Sequence, residues 1–155
     1  MAGITRAIGI TASIILFIGA ASFANPAATI QITDAWTRAT PGISSSSAVY
    51  FTMTNSGKDA DALTGAEAPV AASAELHETM SMGDMVHMAP IKAVDVPAGA
   101  TVNFAPNGRH LMLMGLKKPL HKGDAIAVTL HFEKAGAIDV KVPVLDVAAL
   151  GPHAH

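Results

Sequence analysis

The chain contains no cysteine. That absence excludes disulfide staples, thiolate metal clusters, a cysteine nucleophile and a blue-copper centre, which needs a thiolate ligand. Aromatic residues make up 5% of the sequence and charged residues 14%, with a formal net charge of −2. So small a charged stock draws no basic stripe interleaved with aromatics, and no nucleic-acid partner is expected. Hydrolase signatures are missing as well. There is no G-x-S-x-G elbow and no phosphate loop, and the residues after His77-Glu78 are Thr79, Met80 and Ser81, which breaks any H-E-x-x-H. No enzyme is expected. No internal repeat, low-complexity linker or long segment of 3.6-residue period organises the chain beyond its N-terminus.

Half of the 155 residues are hydrophobic, and eight methionines and seven histidines stand where cysteine might have been. A chain of this length supports one domain with a core of its own. Residues 1–24 read as an export signal. Arg6 is their only charge, an apolar stretch follows through Ile14-Ile15-Leu16-Phe17-Ile18, and Ser22-Phe23-Ala24 offers a small-residue cleavage site before Asn25-Pro26. The uncharged run from Ala7 to Ala24 is 18 residues, at the lower edge of a membrane anchor. Its Gly, Thr and Ser content and its small-residue end favour cleavage, a periplasmic product and no stable membrane insertion afterwards. The mature domain then spans 25–150, with a short tail over 151–155.

Strand signals fill the domain. Ile30–Arg38, Ala48–Asn55, Asp61–Ala68, Thr101–Phe104, His110–Leu116, Ile126–Glu133 and Ile138–Leu145 are short runs, rich in β-branched residues or alternating, separated by Gly, Pro, Asn and Ser. Ala66–Ala74 is Ala-rich and is expected to form one helical turn, which Pro69 keeps short. Seven to nine strands with such turns predict an all-β sandwich or Greek-key barrel. Trp36 and Tyr50 are expected in or beside the core.

Ala74–Met80 and Met85–Pro90 read as the arms of a hairpin. With Met82-Gly83 as its two-residue loop, His77 stands directly opposite Met88, while Met80, Met85 and His87 point to the other face. On the strand starting at His110, alternation puts His110, Met112 and Met114 on one side and Leu111 and Leu113 on the core side. Two same-face His/Met pairs, His77 with Met88 and His110 with Met112, offer two imidazoles and two thioethers to one ion. Thioether is soft and neutral and suits Cu(I), whereas zinc sites use thiolate, imidazole or carboxylate. Such a donor set holds reduced copper and suits carrying it. Met80, Met82 and Met85 read as a soft apolar surface where metal could be passed on. His153 and His155 could hold Cu(II) at a loose secondary site. His121 and His131 are not expected to be ligands. Three rivals stay open: a periplasmic copper-scavenging or tolerance protein that stores the metal, a metal-free β-sandwich interaction module, and a copper redox enzyme.

The spacing His77-x₁₀-Met88-x₂₁-His110-x-Met112 resembles that of the PCu(A)C periplasmic copper chaperones. AWTRAT at Ala35–Thr40, AVYFTMTN at Ala48–Asn55, ELHE at Glu75–Glu78, HLMLMGLKKPL at His110–Leu120 and FEKAG at Phe132–Gly136 are also similar to that family. The resemblance covers about Ile30 to Val147. It implies a cupredoxin-like β-sandwich, monomeric, holding Cu(I) through His77, Met88, His110 and Met112. It further implies delivery toward the binuclear copper centre in subunit II of cytochrome c oxidase, often beside Sco-type proteins. Some members carry a longer His/Met-rich tail that takes Cu(II); here the tail is only HAH.

Overall fold

The computed structural model describes residues 29–42 and 44–152; the expected signal over 1–24 and the His153/His155 tail lie outside them. Ten strands follow in order: β1 (Ile30–Arg38), β2 (Ser46–Asn55), β3 (Asp61–Glu67), β4 (Ala71–Met82), β5 (Met85–Pro90), β6 (Val94–Val96), β7 (Thr101–Phe104), β8 (Arg109–Leu116), β9 (Ala125–Phe132) and β10 (Gly136–Leu145). The expected helical turn over Ala66–Ala74 does not form. Pro69 and Val70 make a tight turn, closed by the Ala71 N–H donating to Ala68 O at 3.0 Å, and β4 starts at once. The helix loses because Ala71 and Leu76 bury as strand residues.

The strands run β5-β4-β8-β2-β1-β10-β9-β3-β6, with β7 also on β2. β1 is the joint: antiparallel to β2, it meets β10 in parallel through Thr37–Val144 and Arg38–Leu145. It therefore divides the path into two sheets that pack face to face as an all-β sandwich. The period-2 pattern explains why. In β9, Ile126, Val128, Leu130 and Phe132 are buried and the residues between them are more exposed. In β8, Leu111 and Leu113 are fully buried, as are Val49 and Met53 on β2. Burying each such side chain stabilises by about 1.5–3 kcal/mol, so slipping a strand by one residue would turn its whole apolar set to water.

Buried polar groups fix the loops. The Asn55 side chain donates to Asp59 O and Val96 O and accepts from Gly57 N–H, all within 2.9 Å. Asp61 accepts from the backbone N–H groups of Ala62, Lys134 and Ala135, tying β3 to the β9–β10 turn. Burial pushes the Asp61 carboxyl up, but these three donors and the Lys134 charge together hold it below the ordinary aspartate range. On the outer face, Trp36, Tyr50 and Ala149 form a second cluster with Arg38 over both rings. Gly115, at φ 65°, lies where a Cβ would stand 2.7 Å from that of Ala72 on β4.

Candidate metal centre

Three neighbouring strands, β5, β4 and β8, position the His and Met residues singled out above. The β4–β5 turn is Gly83-Asp84, and Met82 pairs with Met85. The sequence expectation of a Met82-Gly83 loop is therefore corrected: His77 faces Pro90, and Met88 faces Thr79. Gly83, at φ 63°, occupies the first turn position, as in a type II′ turn, where the expectation had put it second. Met82 then remains in the ladder. The correction moves Met88 by two residues, so it keeps its face and becomes a diagonal neighbour of His77.

The partner of His77 is His110, directly opposite on β8, while Met112 pairs with Glu75. By the alternation of strands, His77, Met88, His110 and Met112 all project from one face. It is the outer face, since Leu76, Leu111 and Leu113 point into the core. The two imidazole rings are 5.8 Å apart between centroids, inclined at 54°. With metal–imidazole bonds of about 2 Å, two rings sharing one ion stand up to roughly 6 Å apart. The spacing is within that reach.

Burial grades the set. His110 is 3% exposed although it lies on the outer face, Met112 and His77 are half-buried, and Met88 is 53% exposed. The hydrogen bonds then decide which nitrogens are available. His110 Nδ1 lies 3.1 Å from Gly108 O. A carbonyl only accepts, so Nδ1 carries the hydrogen and Nε2 presents a lone pair. His77 Nε2 lies 3.3 Å from Glu75 Oε2, so a carboxylate there takes that hydrogen and leaves the lone pair on Nδ1. His77 Nδ1 and His110 Nε2 are the two buried side-chain nitrogen or oxygen atoms, among the described residues, without a hydrogen-bond partner. A buried unpaired nitrogen costs about 1–3 kcal/mol. Two of them on opposed residues, each with its other nitrogen held by an oxygen acceptor, is the arrangement in which imidazoles are held for a metal.

No three His, Cys, Asp or Glu side chains among the described residues could hold a metal together. Any ion taken here by both imidazoles would complete its shell from thioethers, which selects soft ions. Glu78 is not available as a donor, because it pairs with Arg109 at 3.1 Å on the core-side face. Sequence reasoning placed His77 with Met88 on one face and His110 with Met112 on one face. It gave no role to Glu75, although Glu-x-His on a strand puts both side chains on one side. Nothing in the sequence points to Gly108 O. His121 and His131 lie elsewhere, against Asp124 and Glu67.

Comparison with known proteins places this fold in a class. A copper-bound PCuAC domain from PmoF2 superposes with a TM-score of 0.67 at 28% identity, covering 76% of this chain and 93% of that one. The Cu(I) form of DR1885 from Deinococcus radiodurans superposes with a TM-score of 0.61 at 30% identity, covering 83% and 85%. The fold is thus that of the PCuAC domains, as the spacing of His and Met suggested. The chain belongs to the LpqE-like family, described as "Putative lipoprotein LpqE-like", whose model matches residues 30–144. A relative from Leifsonia xyli subsp. xyli, "Putative lipoprotein Lxx21020", is 38% identical over 118 residues, 76% of this chain and 70% of the relative.

Proposed function

We propose that this protein is an exported copper chaperone that binds one Cu(I) ion through His77, Met88, His110 and Met112. The observation that carries the reading is the pair of orphaned imidazole nitrogens, His77 Nδ1 and His110 Nε2, on opposed residues. The copper-bound PmoF2 domain and the Cu(I) form of DR1885 support the choice of metal, and the lipoprotein descriptions of the family and the Leifsonia relative support export. Periplasmic residence after cleavage of 1–24 is part of the proposal.

All four donors are neutral, so Cu(I) displaces no proton from sulfur on binding, unlike a thiolate site. Soft thioethers favour the reduced ion, so the site carries copper without cycling it and needs no catalytic group. The gradient of exposure orders the exchange. An incoming donor reaches Met88 first and the buried His110 last, so copper leaves by stepwise replacement from the exposed end. Glu75 and Gly108 O hold the two rings in the tautomers that leave the binding nitrogens bare.

The proposed destination is the copper centre of cytochrome c oxidase, in subunit II, with Sco-type proteins as co-workers. Two measurements test these claims separately. Competition with a Cu(I) chelator should show weakened binding in His110→Ala and in Met112→Ala, with the fold unchanged by circular dichroism. Unchanged affinity in both variants refutes the ligand set. Oxidase activity in a deletion strain grown at limiting copper should fall; normal assembly instead identifies a storage protein.

A further inference from the structure

The corrected register sets a second group of soft donors on the other side of the hairpin. Met80 pairs directly with His87, and Met82 with Met85. These are successive same-face rungs on the side opposite His77 and Met88. Opposed Cβ atoms are about 5 Å apart, and successive same-face rungs about 7 Å, so three thioethers and one imidazole can close on a single ion. All four are exposed, with Met80 at 44%, Met82 at 74% and Met85 at 75%. This face continues that of the core residues Leu76 and Leu111, but it runs past the edge of the core, so packing does not explain its methionines. Glu78, on the next rung of the same face, is occupied by Arg109.

We infer that the hairpin tip is a second site for a soft monovalent cation of the Cu(I) class, formed by Met80, Met82, Met85 and His87. The chemistry excludes hard cations, because no carboxylate stands on those two rungs. An exposed, one-imidazole site binds more weakly than one whose two imidazoles each present a buried nitrogen, as suits a point where metal arrives or departs. The two groups lie on opposite faces of one hairpin, with Met80 three residues and Met82 five residues along β4 from His77. The tip site stands on its own residues and does not depend on the ligand set proposed for the other face.

The test is titration with Ag(I), a redox-inert stand-in, followed by NMR of the methionine methyl groups and histidine rings. In the wild type a second, weaker equivalent should shift Met80, Met82, Met85 and His87. The triple variant Met80→Leu/Met82→Leu/Met85→Leu keeps the apolar bulk and should lose that equivalent, while still shifting Met88 and Met112. The double variant His110→Ala/Met112→Ala should keep the tip equivalent, whatever becomes of the other. A wild type whose tip resonances never move, or a triple variant that still takes the second equivalent, overturns the proposal. So does a tip whose resonances shift with protein concentration and not with silver, which is the behaviour of a self-association surface.

Discussion

Replacing His110 with leucine separates binding from stability. In the metal-free protein His110 carries an unpaired, buried Nε2, whose burial costs about 1–3 kcal/mol. Leucine removes that atom and fits a strand flanked by Leu111. It also removes the 3.1 Å bond from Nδ1–H to Gly108 O, a loss of about 0.5–1.5 kcal/mol. Gly108 is only half-buried, so its carbonyl can turn to water. The net effect on the metal-free protein lies between a loss of about 0.5 and a gain of about 2.5 kcal/mol, a melting temperature changed by between about −2 and +10 °C. With Cu(I) the order inverts. At free ion about 100 times Kd, wild type gains about 2.7 kcal/mol, and the variant, lacking the best-buried donor, gains far less. Thermal melts with and without Cu(I) under reductant read both effects. A metal-free His110→Leu protein destabilised by more than about 3 kcal/mol would show that the imidazole is a packing residue. An undiminished copper-dependent rise would remove His110 from the site.

Three further outcomes follow from the geometry. Glu75→Ala frees the His77 tautomer and should weaken Cu(I) binding about 10–100-fold with little change in melting temperature, as chelator competition will show. Gly83→Ala meets no atom but strains a φ of 63°, and should cost about 1–2 kcal/mol in denaturant unfolding without changing which residues pair. Asp61 supplies acid sensitivity. Its carboxyl sits below the ordinary value in the folded state, so its stabilisation is complete above the unfolded value near pH 4 and is lost as pH falls through the lower folded value. Asp61→Asn should therefore flatten the fall in stability below about pH 5, and a fall of the same steepness in the variant contradicts this.

The strand pattern was legible because it is a period-2 code. Leu111 and Leu113 against His110 and Met112, or Ile126 through Phe132, announce a buried and an outer face without any structure. The three-residue β6 carries too short a pattern to be seen, and the Ala-rich run at Ala66–Ala74 lacks large side chains that would reveal its period. The hairpin shows how a register error can be harmless to a face. Two loops, Met82-Gly83 and Gly83-Asp84, are open to a glycine at this turn, and they shift the pairing by two residues. His77 thus changed partner from Met88 to Pro90 while all four candidate donors stayed on one face. The pairing of His77 with His110 was beyond reach, because nothing in either strand encodes which neighbour it takes in the sheet. The same holds for the burial of His110 on an outward face and for the carbonyl that fixes its tautomer.

X-ray absorption of the protein loaded with one equivalent of Cu(I) tests the central claim most directly. Two thioether sulfurs and two imidazole nitrogens around one copper are predicted, with one sulfur lost in Met112→Leu. A shell of nitrogen and oxygen alone, or one that is unchanged in Met112→Leu, contradicts the account.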